Sequence, residues 1–157
     1  MKKVRDVMND NVVYFSPDDS VFDVAKLLAE LEISGGPVVE KGKVVGVITL
    51  SDIIKYISVK TFKIPKLTNP SVSQLLLRIL TIGKDQIQFM KEIKRVKKIK
   101  VGDVMSKNVI SIHPNADIIE AATLMEKHDV NRLPVIDGKG RLKGIIARAD
   151  LIKAIVF

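Results

Sequence analysis

The sequence of 157 residues predicts an α/β fold made of two β-α-β-β-α repeats with a helical insert between them. Three observations lead to this prediction. The first is an internal repeat, the second is the alternation of strand-like and helix-like apolar spacing within each copy, and the third is a basic segment between the copies. We expect the copies to occupy residues 1–59 and 101–157, and the insert to occupy residues 60–100.

The repeat is visible in register. The segment from Val4 to Met8 recurs from Val101 to Met105, and the alignment then runs without a gap to a turn at residues 138–140, where the second copy holds one extra residue. Loops tolerate a length change confined to a glycine-containing turn, so the repeat is genuine. Beyond the turn the copies align through Gly46 with Gly144, Ile48 with Ile146, and Asp52 with Asp150.

Each copy predicts the same five elements in order. Short apolar strands are expected at residues 12–15 and 109–112, and each precedes a long helix. Asp18-Asp19-Ser20 supply N-cap chemistry for the first long helix, and Asn115 does so for the second. Val38-Val39 and residues 44–48 predict a hairpin around Lys41-Gly42. A last helix follows, opened by Ser51-Asp52 in the first copy.

Neither copy is expected to be stable as an isolated domain. At roughly 55 residues each buries too little apolar surface, so we expect the two copies to pack on each other. Two similar units packed face to face give a pseudo-two-fold axis, and their strand-to-helix junctions would then flank one shared cleft.

The net charge of +8 belongs to the insert. Residues 60–100 hold eleven Lys and Arg against two Asp and Glu, which leaves −1 for the rest of the chain. We predict one helix capped by Asn69 and ended by Gly83, and a second helix that Asp85 would cap. Their apolar stripes are Val72, Leu75, Leu76 and Ile79, then Phe89, Ile93 and Val96.

The cations of the second insert helix are Lys91, Lys94, Arg95, Lys97 and Lys98. A solvated helix face is the favoured interpretation, and nucleic acid, an anionic membrane surface and an acidic partner are the alternatives.

The amino-acid composition excludes several kinds of site and structure. There is no Cys, so disulfides and thiolate metal sites are excluded, and no apolar run reaches the length of a membrane span. His113 and His128 do not align with each other or with further ligands, so we expect no metal site. No catalytic triad, carboxylate pair or phosphate loop stands out, so we predict a soluble cytoplasmic protein that is not an enzyme.

The doubled pattern resembles a tandem pair of CBS (cystathionine-β-synthase) domains, a Bateman module. It runs from Asp-Val-Met through an amphipathic helix and a Pro-Val strand to Gly-x-Ile-x-x-x-Asp, and it covers residues 4–57 and 101–155. The resemblance implies a regulatory module that binds AMP, ADP, ATP or S-adenosylmethionine in the cleft between copies, without an obligatory cofactor. It also implies a homodimer that regulates another protein.

The resemblance implies ligand-binding roles for eleven residues. Asp52 would accept hydrogen bonds from both ribose hydroxyls, and the other residues would contact base, ribose or phosphate. Tyr14 departs from the Thr or Ser that the family has at this place, and it would narrow its pocket or stack in it. In the first copy they are Tyr14, Ser34, Gly35, Thr49, Ser51 and Asp52, and in the second they are Ser111, Asn131, Arg132, Arg148 and Asp150. Arg132 resembles the phosphate-binding Arg of the AMP-sensing kinase γ subunits.

The two junctions are not equivalent. Ala147 stands where the family has Thr or Ser, so we expect the Asp52 site to be the better formed of the two. An Asp near a helix N-terminus is also stabilising without any ligand, which is the structural alternative for Asp52 and Asp150. Which site receives Arg132 stays open.

Two further function classes stay open beside the ligand sensor. One is a nucleic-acid-binding regulator that acts through the basic insert, and the other is a structural dimeriser with empty pockets. A sensor would act by a population shift, because a bound ligand favours the conformation that completes its contacts.

Overall fold

The computed structural model of the chain describes residues 1–63, 71–82 and 86–157. Within them the first repeat and its leading helix comprise α1 (Val4–Val7), α2 (Val21–Glu30), β1 (Gly35–Glu40), β2 (Lys43–Thr49) and α3 (Leu50–Lys60). The insert comprises α4 (Val72–Ile82) and α5 (Gln86–Val96). The second repeat comprises α6 (Val101–Val104), α7 (Ile118–His128), β3 (Arg132–Ile136), β4 (Leu142–Ala147) and α8 (Arg148–Val156). The predicted α/β fold is confirmed.

The chain folds into two compact units, and each takes segments from both repeats. The first unit contains Met1–Tyr14, Pro37–Gly46 and Lys107–Phe157. The second unit contains Phe15–Gly36 and Val47–Ser106. The sequence repeats and the compact units therefore divide the chain differently.

The core of the first unit is formed mainly by the second repeat. Val4 of α1 lies in this core and is fully buried. Its backbone N–H donates to the Ala116 carbonyl at 2.9 Å, and the Arg5 N–H donates to the Pro114 carbonyl at 3.0 Å. The other core residues are Ile112, Ala121, Met125, Leu133, Val135, Ile146 and Leu151.

The second unit repeats this arrangement with α6. The Val101 N–H donates to the Asp19 carbonyl at 2.8 Å, and the Gly102 N–H donates to the Pro17 carbonyl at 2.9 Å. Val101 is fully buried, like Val4. Each short leading helix thus packs in the compact unit that holds the long helix of the other repeat.

The hairpins form as predicted in both repeats. β1 pairs with β2, and β3 pairs with β4 in the antiparallel register that places Arg132 opposite Ala147. Lys41 and Gly42 both have positive φ, which is the conformation that a two-residue hairpin turn requires.

The predicted first strands are wrong in extent. Only Phe15 and Ile112 form β-bridges within residues 12–15 and 109–112. Ile112 pairs in parallel with Val135, accepting from the Ile136 N–H and donating to the Pro134 carbonyl. Extending this ladder in either direction requires an N–H from Pro134 or Pro114, which proline lacks.

One of the two predicted caps of the long helices is also wrong. Ser20 caps α2 by accepting from the Phe22 N–H at 3.3 Å. The cap of α7 is Asp117, which accepts from the Glu120 N–H, whereas Asn115 accepts from Arg5 Nη1 at 2.7 Å. The chain therefore enters α7 two residues later than predicted.

The insert helices pack on the last helix of the first repeat. Phe62, Leu75 and Ile79 form a small core, against which Ile54, Ile57 and Phe89 are half-buried. Leu76 was predicted in the buried stripe but is exposed, whereas Val96 is buried as predicted. The predicted caps Asn69, Gly83 and Asp85 lie outside the described residues.

A buried carboxylate lies on α5, for which the sequence predicts an apolar stripe and a cationic face. Glu92 is buried, accepts from Gln88 Nε2 at 2.8 Å and forms an ion pair with Arg95 at 3.1 Å. Lys97, just beyond α5, places its Nζ 5.0 Å from the centre of the Phe22 ring. Two of the five cations predicted on the insert thus have intramolecular partners. Within the described ranges, none of the helices is both long and apolar enough to cross a membrane.

Candidate ligand-binding site

The first strand-to-helix junction is held by a reciprocal pair of hydrogen bonds. Thr49 is the N-cap of α3, and its Oγ1 accepts from the Asp52 backbone N–H at 3.0 Å. Asp52 Oδ2 accepts in return from the Thr49 backbone N–H at 3.2 Å. The hydroxyl and the carboxylate that the sequence singles out therefore satisfy each other's backbone donors as a capping box.

The capping box leaves acceptor capacity at this junction. Asp52 and Ser51 are half-buried, and Asp52 Oδ1 has no hydrogen-bond partner among the described residues. An ionised carboxylate accepts through both oxygens, so Oδ1 is available to a ligand while Oδ2 fixes the side chain. The junction thus presents a carboxylate oriented in advance by the helix that it caps.

Ser34 is brought to the same junction by the backbone. Its carbonyl accepts from the Leu50 N–H at 2.9 Å, and its side chain is exposed. Gly35 follows at the start of β1, where a Cβ atom would lie 2.5 Å from the Ile48 carbonyl oxygen. Glycine is therefore required here by the approach of β2, and the fold explains Gly35 without a ligand.

The second junction repeats this geometry with one bond missing. The Arg148 N–H donates to the Asn131 carbonyl at 3.0 Å, as the Leu50 N–H does to Ser34. Asp150 Oδ2 accepts from the Ala147 N–H at 2.8 Å, but Ala147 has no hydroxyl to accept from Asp150 in return. The N-terminus of α8 therefore has one of the two capping hydrogen bonds that are present at the N-terminus of α3.

The two arginines of the second junction have different surroundings. The Arg148 guanidinium lies 3.4 Å from the Met125 and Val130 carbonyls, at the C-terminal end of α7. Cations favour helix C-termini, so Arg148 has a structural role without a ligand. Arg132 is exposed at the start of β3, and its side chain has no hydrogen-bond partner in the described part of the chain.

The remaining predicted residues lie in the first unit. Ser111 is half-buried next to the Ile112 bridge. Tyr14 is 61% exposed and lines a groove together with Asp10, Lys41, Arg141 and Lys143, which we call the tip groove. None of the other ten predicted ligand residues lines this groove. In the sequence, Lys41 stands out only as part of a hairpin turn, and no pattern marks Arg141 or Lys143.

The structure therefore distributes the eleven predicted residues between two units. Ser34, Gly35, Thr49, Ser51 and Asp52 lie together in the second unit. Tyr14, Ser111, Asn131, Arg132, Arg148 and Asp150 lie in the first. The ligand roles of both sets stay predictions.

The repeat has a family match that covers most of the chain. The family model for the CBS domain matches residues 4–59 and 101–157. The chain belongs to the CBS-domain family. The resemblance seen in the sequence is confirmed, and both junctions are the Asp-containing ends of CBS repeats.

Individual CBS proteins resemble the whole chain. Uncharacterized protein MJ1426 of Methanocaldococcus jannaschii is 39% identical over 154 residues, which cover 98% of this chain and 90% of that protein. Uncharacterized protein MJ1232 of the same organism is 34% identical over 98% of this chain, which spans only 39% of that protein.

A solved structure has the same fold over nearly the full length. It is CBSX2 in complex with AMP, and CBSX2 is a CBS-pair protein from Arabidopsis thaliana. The likeness has a TM-score of 0.67 and 26% identity, and it covers 99% of this chain and 97% of CBSX2.

The capping difference between the two CBS repeats predicts opposite effects of two substitutions. Thr49→Ala removes the hydroxyl acceptor of α3 and should lower the free energy of unfolding by about 1 kcal/mol. Ala147→Ser supplies the missing acceptor to α8 and should raise it by about 0.5 kcal/mol. Urea unfolding monitored by circular dichroism measures both, and Thr49→Ser is the control that keeps the hydroxyl. A destabilising effect of Ala147→Ser would contradict the proposed geometry of the cap.

Proposed function

We propose that this chain is a non-catalytic CBS module that binds an adenine nucleotide or another adenosyl compound at the Asp52 junction. The proposal rests on the hydrogen bonding of the two Asp52 carboxylate oxygens. One of its oxygens is held by the Thr49 N–H, and the other has no partner among the described residues. The AMP complex of CBSX2, a CBS pair similar over nearly the whole chain, supports the choice of ligand.

The ribose is the part of the ligand that suits Asp52 best. Two adjacent hydroxyl groups present two donors, and an ionised carboxylate offers only acceptors. Such charge-assisted bonds are stronger than neutral ones, and half-burial strengthens them further. Ser34 and Ser51 add hydroxyls that donate to ribose or phosphate oxygens. AMP, ADP, ATP and S-adenosylmethionine all carry this ribose, so the junction selects the class of ligand.

The Asp150 junction is the weaker candidate of the two. Its carboxylate is held through one backbone bond, as that of Asp52 is, but the junction lacks the hydroxyl that Thr49 supplies, and Arg148 is already placed against carbonyls of the α7 end. Arg132 remains a cation without a partner in the described residues, and a guanidinium suits a phosphate. We propose that Arg132 gives this junction a charge for an anionic ligand, and that the Asp52 junction is the one that binds a ribose.

A second copy of the chain is the partner that the exposed apolar residues of the first unit support. On α8, Ile152 is 61% and Ile155 is 77% exposed, and their spacing of three residues puts them on one helix face. Ile119 of α7 is 57% exposed, and α7 packs against α8 in this unit. We propose that these residues form a homodimer contact, and that ligand binding regulates another protein by changing the geometry of that dimer.

The nucleic-acid alternative has less support. Lys91, Lys94 and Lys98 are exposed on the insert, but Arg95 pairs with Glu92 and Lys97 lies over Phe22. Part of the predicted basic surface is therefore occupied by intramolecular contacts. Binding through the insert and a cytoplasmic location stay predictions.

The ligand proposal is tested by calorimetry on a matched pair of variants. Asp52→Asn keeps the side-chain shape and one acceptor for the cap but removes the charge and the second acceptor. We expect the affinity for AMP or ATP to fall at least tenfold, because hydrogen bonds to charged groups contribute about 1.5–3 kcal/mol. Asp117→Asn, at the N-cap of α7, is the control and should bind as the wild type does. Heat without saturation for every adenosyl compound tested would refute the proposal, and unchanged affinity in Asp52→Asn would refute the site.

The dimer is tested by sedimentation velocity. Ile155→Glu places a charge on the exposed face of α8, and we expect it to yield monomers at micromolar concentration because burying an unpaired charge opposes association. Lys127→Glu, on the exposed surface of α7, is the control and should remain dimeric. A wild-type chain that sediments as a monomer at all concentrations would overturn the dimer proposal.

A further inference from the structure

The tip groove is lined by none of the residues that form the two strand-to-helix junctions. It has a volume of about 570 Å³ and is lined by Asp10, Tyr14, Lys41, Arg141 and Lys143 among others. This volume is within the range that small-molecule sites occupy, roughly 300–1,000 Å³. All of its lining residues belong to the first unit.

Two turns form one side of the groove. The turn of the first hairpin has positive φ at Lys41 and Gly42, and the turn of the second has positive φ at Gly140. The Val44 N–H donates to the Gly140 carbonyl at 3.0 Å, which joins the two turns through the backbone. The backbone segments that carry Lys41, Arg141 and Lys143 are therefore held together at this end of the unit.

The segment that carries Asp10 and Tyr14 is pinned to β4. Asn9 and Ile145 exchange two backbone hydrogen bonds of 2.9 Å, and Asn9 Oδ1 accepts from the Asn11 N–H at 3.0 Å. Gly144 permits this approach, since a Cβ atom there would lie 2.8 Å from the Asn9 carbonyl oxygen. Asp10, next to Asn9, is thus held close to β4.

Arg141 is oriented by its own turn. Asp137 Oδ1 accepts from the Lys139 and Arg141 backbone N–H groups, and Oδ2 accepts from Arg141 Nε at 2.8 Å. The Arg141 backbone hydrogen bond is the largest cause that lowers the pKa of Asp137 to about 2, so this carboxylate is ionised at neutral pH. The guanidinium is held through Nε, and its terminal nitrogens have no hydrogen-bond partner among the described residues.

The charge of the groove is positive. Lys41, Lys143 and Arg141 bring three cations, against Asp10 in the lining and Asp137, which pairs with Arg141. Neither lysine forms a salt bridge within the described part of the chain. Like charges gathered in one depression repel each other unless an anion lies between them, so a bound anion would stabilise the arrangement.

We propose that the tip groove is a second binding site, for a small phosphate-bearing compound of nucleotide size. Lys41, Lys143 and the terminal nitrogens of Arg141 would hold the phosphates, and the exposed ring of Tyr14 would stack on a planar group. This assigns Tyr14 to the groove and removes it from the set of residues expected around Asp52. The proposal does not depend on an adenosyl ligand at the Asp52 junction.

The test is an NMR titration of the ¹⁵N-labelled full chain, with tripolyphosphate as the probe. The amide signals of Gly42 and Lys143 report on the groove, and those of Ser51 and Asp52 report on the junction. We expect saturable shifts at the groove signals. Arg141→Gln should weaken binding about tenfold because it removes a charge-assisted contact. Asp10→Asn should tighten it about threefold because it removes a repulsive charge.

Two controls separate the groove from general charge and from the junction. Lys127→Gln removes one exposed cation of the same unit and should leave the affinity within twofold of the wild type. Asp52→Asn should leave tripolyphosphate binding at the groove unchanged, whether or not that variant still binds AMP. In the Asp52→Asn background, ATP should bind the groove more tightly than tripolyphosphate does, and Tyr14→Leu should abolish the difference.

Several outcomes would overturn the proposal. Shifts that do not saturate or that spread over all exposed lysines would show only diffuse attraction of anions. Weaker binding in Asp10→Asn would contradict the assigned charge balance. Groove shifts with a single-stranded oligonucleotide, but with neither tripolyphosphate nor ATP, would show a nucleic-acid surface instead of a small-molecule site.

Discussion

Both compact units depend on one kind of contact, in which a short leading helix donates backbone hydrogen bonds to the turn before a long helix of the other repeat. Val4 and Arg5 bond to Ala116 and Pro114, and Val101 and Gly102 bond to Asp19 and Pro17. A helix of four residues is not stable alone, so each leading helix exists because of this docking. Each leading helix thus places a buried Val in the unit that holds the long helix of the other repeat. A single sequence repeat therefore lacks part of its own core.

At the strand-to-helix junctions, stability and ligand binding use the same side chain. Asp52 caps α3 through one oxygen, and the other oxygen is available to a ligand. The cap fixes the carboxylate before a ligand arrives, which lowers the entropy cost of binding. This explains why a structural role for Asp52 and a functional one do not exclude each other. At Asp150 the bond that orients the carboxylate is also present, but the return bond to an N-cap hydroxyl is missing, so the start of α8 is less well capped.

Sequence patterns correctly predicted features that depend on residues close together in the chain. The hairpin turn at Lys41-Gly42 and the cap at Ser20 follow from residues within a few positions of each other. The first strands were predicted too long because apolar residues were counted while the prolines that end the ladder were not, Pro134 on the strand opposite and Pro114 just beyond Ile112. The exchange of leading helices could not be predicted, because an alignment of two copies does not say which copy each segment packs against. The tip groove was missed for a related reason, since its cations are distant in sequence.

A crystal structure of the chain grown with AMP tests most directly whether Asp52 holds the ribose of an adenosyl ligand. We predict ribose hydroxyls within hydrogen-bond distance of Asp52 Oδ1, with the two bonds between Thr49 and Asp52 unchanged. Bound AMP whose ribose lies away from Asp52, or an Asp52 side chain that leaves Thr49 to reach the ligand, would contradict it.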